Sequence, residues 1–173
     1  PAADQAGSRA SGGEKRFTAG SMCGIIHDMR EISAETVAER LAEAIDRALK
    51  TVDPDVVAQL RQCRKQESGP AAWALDTIIE NDVLAAEKGY YACQDTGVAL
   101  VFADIGEDVF VRGLQSAVNE GVRRGYRNAR KSIADPLTRL NTGDNTPAVL
   151  YIRQVAGDTL TLHFLAKGAG SEN

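Results

Sequence analysis

The stretch Tyr91-Ala92-Cys93-Gln94-Asp95-Thr96-Gly97, followed directly by Val98-Ala99-Leu100-Val101-Phe102, decides how the chain is organised. A helical pattern ends just before it, at Gly89, and the nearly unbroken apolar run from Val98 predicts a strand buried on both faces. Residues 91–97 therefore form a short connection between a helix and a strand. Functional residues concentrate on connections of this kind, because a rigid scaffold holds them in place.

Cys93 carries the main chemical signal of this connection, since an amide, a carboxylate, a hydroxyl and a glycine follow it at once. A thiolate at such a position can bind a soft metal or attack an electrophile. The alternative is a buried structural cysteine beside an Asx-type turn, because unpaired cysteines are among the most buried residues. The stretch alone leaves both interpretations open.

The composition is that of a soluble globular protein, with 43% hydrophobic and 25% charged residues in 173, enough for one domain with a core. The net charge of −4 argues against a nucleic-acid partner, which requires a basic surface. No apolar run approaches the roughly 18 residues that cross a membrane. Three widely spaced cysteines do not form a disulfide framework, so we expect a cytoplasmic protein without nucleic-acid or membrane partners.

Residues 1–22 are expected to be a disordered leader or a vector-derived segment, and residues 23–173 the folded part. The leader is small, polar and glycine-rich, so it cannot bury enough apolar surface to offset its ordering entropy. Gly20-Ser21-Met22 is typical of an expression-vector junction. Cys23 and His27 lie four residues apart and could ligate a metal on one helix face, but two ligands without a partner cluster make a weak site.

The periodicity of the rest predicts an α+β fold, in which a layer of about three helices precedes a small mixed sheet with a covering helix. The expected helices cover residues 33–50, capped by Ser33, then a segment opened by Asp53-Pro54, then 71–88, ended by Gly89, and finally 113–124. Cys63 falls on the apolar face of the second helix, which predicts a core position. The expected strands are 98–102, 149–155 and 159–164, with a turn over 104–108. His163 lies opposite the apolar face of its strand, which predicts an exposed or interface histidine.

Four polar connections each adjoin an apolar element: Cys93–Gly97, Arg130–Ser132, Asn141–Pro147 and Lys167–Asn173. They carry a thiol, a carboxylate, glycine backbones and three cations, which are Arg130, Lys131 and Lys167. About twenty residues without periodicity, such as 126–147, are usually functional or disordered when they lie inside a compact domain. The combination suits a small dianionic substrate near a soft metal centre, because the arginine fork matches a carboxylate.

These connections also carry a family resemblance. The chain resembles, over about residues 30–173, the alpha subunit or N-terminal domain of the iron–sulfur class I fumarate hydratase and L(+)-tartrate dehydratase family. The blocks that recur in order are Cys93-Gln94-Asp95-Thr96-Gly97, Asn119-Glu120-Gly121, Gly125-Tyr126, Arg130-Lys131-Ser132, Asp135-Pro136-Leu137, residues 141–148 (NTGDNTPA) and residues 167–173 (KGAGSEN). The complete NTGDNTPA block favours the fumarase branch.

The resemblance implies a 4Fe-4S cluster that three cysteines hold, with one iron left open for the substrate. Cys93 matches the first of these cysteines. The positions that match substrate contacts are Gln94 and Asp95 beside the cluster, Arg130 at a substrate carboxylate, and Gly170 or its neighbour Gly168 through the backbone. Lys167 is expected to support the glycine loop electrostatically.

The implied reaction is the reversible hydration of fumarate to malate, or else the dehydration of L(+)-tartrate to oxaloacetate. Neither Cys23 nor Cys63 lies in a matching motif, so the other cluster ligands are expected from a beta subunit or C-terminal domain. The base that removes the carbon-bound proton is expected there as well and is not assigned to Asp95. We expect this segment alone to be inactive and the alpha part to form a homodimer.

Two other functions compete with this hypothesis. In one, the chain is a non-catalytic interaction module, whose amphipathic helices form a partner surface. In the other, Cys93 is the nucleophile of a thiol enzyme, which requires a nearby histidine as base. His27 and His163 are the two histidines of the chain, and neither lies in a matching motif.

Overall fold

The computed structural model describes residues 29–93 and 95–168. Its helices are α1 (Ala34–Ala48), α2 (Pro54–Arg64), α3 (Gly69–Lys88) and α4 (Leu114–Gly125). Its strands are β1 (Arg30–Glu31), β2 (Val98–Gly106), β3 (Val109–Phe110), β4 (Val149–Val155) and β5 (Leu160–Lys167). The α+β class is confirmed. The leader and the Cys23/His27 pair lie outside the described residues.

The main sheet has three strands in the order β4-β2-β5, with β2 in the centre. β4 runs parallel to β2, and Leu100 pairs with Val149. β5 runs antiparallel to β2, and Val98 pairs with Lys167. The start of β2 and the end of β5 therefore lie side by side, which brings the connection before Val98 close to the loop after Lys167.

Helices α1 and α4 cover one face of this sheet and form the core with it. The Ser33 side chain caps α1 by accepting a hydrogen bond from the Thr36 backbone N–H at 3.0 Å. The two helices lie very close together, because α4 presents glycines to α1: a Cβ added at Gly125 would lie 2.7 Å from the Ile45 Cβ. The predicted amphipathic faces of α1 and α4 are confirmed by the burial of Val37, Leu41 and Ile45 on α1 and of Leu114, Ala117, Val118 and Val122 on α4.

The prediction that β2 is buried on both faces is wrong. Ala99, Val101 and Ala103 are buried against the helices, but Phe102 on the opposite face is 40% exposed. Among the described residues, α1 and α4 cover only the first of these faces. The predicted turn over 104–108 is also wrong, because β2 continues to Gly106, which pairs with Val155 of β4.

Helix α2 has no buried residue, so the prediction that Cys63 lies in the core is wrong, and its side chain is exposed. The principal partner of α2 is α3, and neither helix contributes a residue to the main core. Gly89 ends α3 as predicted, in the left-handed conformation with φ +70°. None of the helices in the described part of the chain has the length and apolar character to cross a membrane.

Tyr126, which follows α4, joins the core to the connection before β2. Its ring is fully buried and contacts Phe164 edge to face, with the ring centroids 6.3 Å apart. Its hydroxyl donates a hydrogen bond to the Thr96 carbonyl at 2.9 Å. Burial, together with the nearby Asp95 carboxylate, raises the pKa of this hydroxyl above its ordinary value.

The raised pKa of Tyr126 predicts a loss of stability in alkali. Above about pH 10 the unfolded chain releases the tyrosine proton while the native state keeps it, so the free energy of unfolding falls as the pH rises. We expect Tyr126→Phe to lower this free energy by about 1 kcal/mol at neutral pH, because the Thr96 carbonyl loses its donor. In urea unfolding, the variant should also show a shallower decline of this free energy between about pH 10 and 11.5.

Tyr90→Phe, which changes an exposed ring, is the matched control and should leave the free energy of unfolding at neutral pH unchanged. An equally steep alkaline decline in Tyr126→Phe would contradict the assignment.

Candidate functional site

A cleft of about 470 Å³ opens where the connection between α3 and β2 meets the loop after α4. Its lining includes Tyr91, Cys93 and Thr96 from the connection and Arg130 from the loop. Cys93 is exposed, so the alternative of a buried structural cysteine is wrong. The fold therefore brings a thiol and a guanidinium, predicted as site residues from separate parts of the sequence, to one cavity.

The Arg130 carbonyl oxygen is held by two buried side chains. Thr96 Oγ1 donates a hydrogen bond to it at 2.6 Å, and Asn145 Nδ2 donates a second at 3.2 Å. Thr96 is 2% exposed and Asn145 is 1% exposed. Because the backbone of residue 130 is fixed in this way, its side chain starts from a defined point at the edge of the cleft.

Asn145 uses both ends of its amide group. The Oδ1 atom accepts hydrogen bonds from the backbone N–H groups of Ser132 at 2.9 Å and Ile133 at 3.3 Å. The residue itself lies in the left-handed region, with φ +60°, which asparagine tolerates better than most residues. One side chain thus joins the NTGDNTPA loop to the loop that carries Arg130.

Gly97 allows the end of β5 to pass close to the Cys93 connection. It has φ +61°, and a Cβ built on it would lie 1.9 Å from the Lys167 carbonyl oxygen. Its N–H donates hydrogen bonds to Asp95 Oδ1 and to Ser132 Oγ, both at 3.1 Å. Gly168 approaches the same carboxylate, since a Cβ there would lie 3.2 Å from Asp95 Oδ2. Asp95 therefore lies between the Cys93 connection and the beginning of the glycine loop.

The Lys131 ammonium binds backbone carbonyl oxygens at the C-terminal end of α4, and Lys131 does not line the cleft. It donates hydrogen bonds to the carbonyl oxygens of Tyr126, Arg127 and Ala129, the last at 2.6 Å. A cation at this position also complements the negative end of the helix dipole. Of the three cations noted in the polar connections, Arg130 is the one that lines the cleft.

Several predicted residues cannot be placed or lie elsewhere. Gln94 and Gly170 lie outside the described residues. His163 is exposed, as predicted, and lines a separate cavity on the open face of the sheet with Phe102 and Arg153. His163 therefore cannot act as the base for Cys93. The thiol-enzyme hypothesis loses the histidine that it requires among the described residues.

A metal site formed by this part of the chain alone would need several ligands close together. Residues 29–93 and 95–168 contain no group of three histidine, cysteine, aspartate or glutamate side chains that could hold an ion. Cys93 lines the cleft, and within these residues no such group completes a metal site around its thiol.

Sequence patterns missed the residues that hold the site together. Thr96 and Asn145 are the buried polar residues of the described chain, and their hydrogen bonds connect three loops. The density of asparagine, threonine and glycine over 141–147 correctly predicted hydrogen-bonded turns. It could not indicate which asparagine turns inward, because that depends on the position of the Arg130 loop.

Comparison with known proteins identifies the family of this sequence. The sequence profile of the family described as "Fumarate hydratase (Fumerase)" matches residues 38–173. The chain is 30% identical over 148 residues to "Putative L(+)-tartrate dehydratase subunit alpha" of Methanocaldococcus jannaschii, which covers 79% of this chain and 52% of that protein. It is 37% identical over 103 residues to "Fumarate hydratase 2" of Leishmania major, covering 56% of this chain and 18% of the relative.

A third relative is "Fumarate hydratase class I, anaerobic" of Escherichia coli, which is 32% identical over 102 residues, or 56% of this chain and 19% of the bacterial protein. The chain therefore spans about half the length of the archaeal relative and about a fifth of the other two. Since the family profile extends over most of its residues, from 38 to 173, the chain belongs to the fumarate hydratase (fumerase) family.

Proposed function

We propose that this chain supplies Cys93 and Arg130 to the active site of an iron–sulfur hydro-lyase that reversibly adds water to a C4 dicarboxylate, converting fumarate to malate. The observation that carries the proposal is the shared cleft, in which an exposed thiol and a guanidinium lie on adjoining loops. The relatives named fumarate hydratases support the reaction class.

Arg130 would bind a carboxylate of the substrate. A guanidinium forms two parallel hydrogen bonds to a carboxylate, which fixes the orientation as well as the position of the ligand. The hydrogen bonds from Thr96 and Asn145 hold the Arg130 backbone before the substrate arrives. Such preorganisation lowers the entropic part of the barrier, because less freedom is lost on reaching the transition state.

Cys93 would be one thiolate ligand of a 4Fe-4S cluster, because its thiol is exposed at the cleft and not enclosed by the core. Clusters of this kind are held by several cysteine thiolates, so the remaining ligands would come from a C-terminal domain or a beta subunit. When bound, the cluster supplies a Lewis acid for the hydroxyl group that is gained or lost. Asp95, with Gln94 and the glycine loop at Lys167–Gly170, would orient the substrate, and the base would come from the same partner polypeptide.

A second candidate substrate within the same reaction class is L(+)-tartrate. The archaeal relative that aligns with 79% of this chain is named as a putative L(+)-tartrate dehydratase subunit. The complete NTGDNTPA block favours fumarate instead. Anaerobic assays of the complete enzyme with fumarate, malate and L(+)-tartrate decide between the two, since each substrate gives a separate initial rate.

The first prediction concerns the thiol. In the complete enzyme, purified without oxygen, we expect Cys93→Ala to abolish both the brown absorption of the cluster and the hydration of fumarate. Cys63→Ala is the matched control, because Cys63 is also exposed but lies on α2, away from the cleft. It should retain both properties. Normal fumarate turnover by Cys93→Ala would exclude the proposed ligand role.

The second prediction concerns the guanidinium. Arg130→Lys keeps the charge but loses the two-pronged contact, so we expect the KM for fumarate to rise about 10- to 100-fold, or roughly 1.4–2.8 kcal/mol. The substitution leaves the backbone hydrogen bonds of residue 130 intact. Arg127→Lys, on the same loop and also exposed, should leave KM within about twofold. Equal KM values for the two variants would argue against a carboxylate role for Arg130.

The third prediction concerns the buried amide. Asn145→Ala leaves the N–H groups of Ser132 and Ile133 without their acceptor, so we expect the free energy of unfolding to fall by about 3 kcal/mol. Asn141→Ala also removes two hydrogen bonds. In one, the Asn141 side chain accepts from the Gly143 N–H, and in the other it donates to the Lys131 carbonyl oxygen. Because Asn141 is exposed, its loss should cost about 1 kcal/mol. Urea unfolding measures both, and similar losses would show that Asn145 has no special structural role.

A further inference from the structure

The backbone directly before Cys93 is held by two different helices. The Ala92 N–H donates a hydrogen bond to the carbonyl oxygen of Leu49, the C-cap residue of α1, at 2.9 Å. The Ala92 carbonyl oxygen accepts a hydrogen bond from the side-chain Nδ2 of Asn81, on α3, at 3.0 Å. The residue before the thiol is therefore fixed at both of its peptide groups.

These hydrogen bonds restrict the point from which the Cys93 side chain starts. A peptide group is planar, so the Ala92 carbonyl and the Cys93 N–H turn together. The hydrogen bond from Asn81 therefore sets the orientation of the peptide group that leads into Cys93. Tyr91 anchors the chain on the other side of Ala92, because its ring packs on the main core and lies 5.6 Å from Lys50 Nζ.

The hydrogen bond from Asn81 is also the contact that joins α3 to the cleft. Helix α3 packs mainly on α2, and neither helix contributes a residue to the main core. Of the hydrogen bonds that α3 side chains form in the described part of the chain, the one to the Ala92 carbonyl reaches beyond α2 and α3. An exposed helix that adds nothing to the core thus places one amide group against the connection that carries the thiol.

We propose that Asn81 is a positioning residue, which holds the Ala92 carbonyl oxygen and so orients Cys93 for binding the cluster. This inference rests on the proposed hydro-lyase function. Side chains that orient a metal ligand are commonly worth about 10- to 100-fold in metal affinity or activity. The Cys93 side of the cleft is then preorganised by a side-chain amide, as the Arg130 side is.

A spin label on the thiol tests this role without the cluster. In the full chain carrying Cys23→Ser/Cys63→Ser, a nitroxide on Cys93 should rotate about twofold faster in Asn81→Ala and in Asn81→Asp, because a released loop moves on the nanosecond timescale. Asn81→Asp keeps the side-chain shape but has no N–H to donate when ionised. Glu80→Ala, at an exposed neighbour on α3, is the matched control and should leave the rotation unchanged. Circular dichroism should show the same helix content throughout, because alanine is the better helix former.

The same label on Cys63 separates positioning from a general loosening of α2 and α3. Cys63 is exposed on α2, so in the chain carrying Cys23→Ser/Cys93→Ser its label should rotate equally fast with and without Asn81→Asp. Faster rotation at Cys63 would show that Asn81 stabilises the helix pair as a whole and would overturn the positioning role. Unchanged rotation at Cys93 would overturn it as well.

Cluster retention in the complete enzyme, prepared without oxygen, is the second measurement. We expect Asn81→Asp to lose the brown absorption to an iron chelator about 10-fold faster than the unsubstituted enzyme. The KM for fumarate should stay within about twofold, since Asn81 does not line the cleft. Loss of iron at the unsubstituted rate would overturn the positioning role alone, whereas an unsubstituted enzyme without any cluster would overturn the proposed function, so the two failures are distinct.

Discussion

The carbonyl oxygen of Arg130 is the point on which the candidate site depends. Two buried donors, Thr96 Oγ1 and Asn145 Nδ2, converge on it, and they come from connections that are far apart in sequence. Both donor side chains are shielded from water, so their hydrogen bonds to this carbonyl oxygen do not compete with solvent. The three loops are therefore held as a unit although they contain almost no regular secondary structure. Because buried groups carry the structural role, the side chains of Cys93 and Arg130 at the cleft remain exposed.

The helices that pack on the sheet were the most predictable part of the fold. Val37, Leu41 and Ile45 recur every four residues, and their burial follows because α1 has one covered face and one face in water. The same approach failed for β2 and for Cys63. An apolar run or an apolar stripe shows which residues favour burial, but it contains no information on whether a covering layer is present. Phe102 and Cys63 are both on surfaces that the described residues leave open.

The candidate site could be predicted only in part. Cys93 and Arg130 were named from motif blocks, and the fold places both at one cleft. The functions of Lys131 and Asn145 could not be deduced, because each depends on which backbone groups lie nearby in three dimensions. The position of Lys131 in a basic block predicts a cation near the substrate. Its ammonium instead donates hydrogen bonds to carbonyl oxygens at the end of α4.

The position of β2 in the sheet has a consequence for how the protein forms during synthesis. Both strands that pair with β2 come later in the chain. Leu100 can pair with Val149 only after about 50 further residues have been synthesised. At ribosomal speeds of about 5–20 residues per second this delay lasts roughly 3–10 s. During that time the apolar segment 98–102 is on the nascent chain with both of its edges unpaired, which is the state in which strands associate wrongly. The central strand of this sheet thus depends on residues made later in synthesis to cover both of its edges.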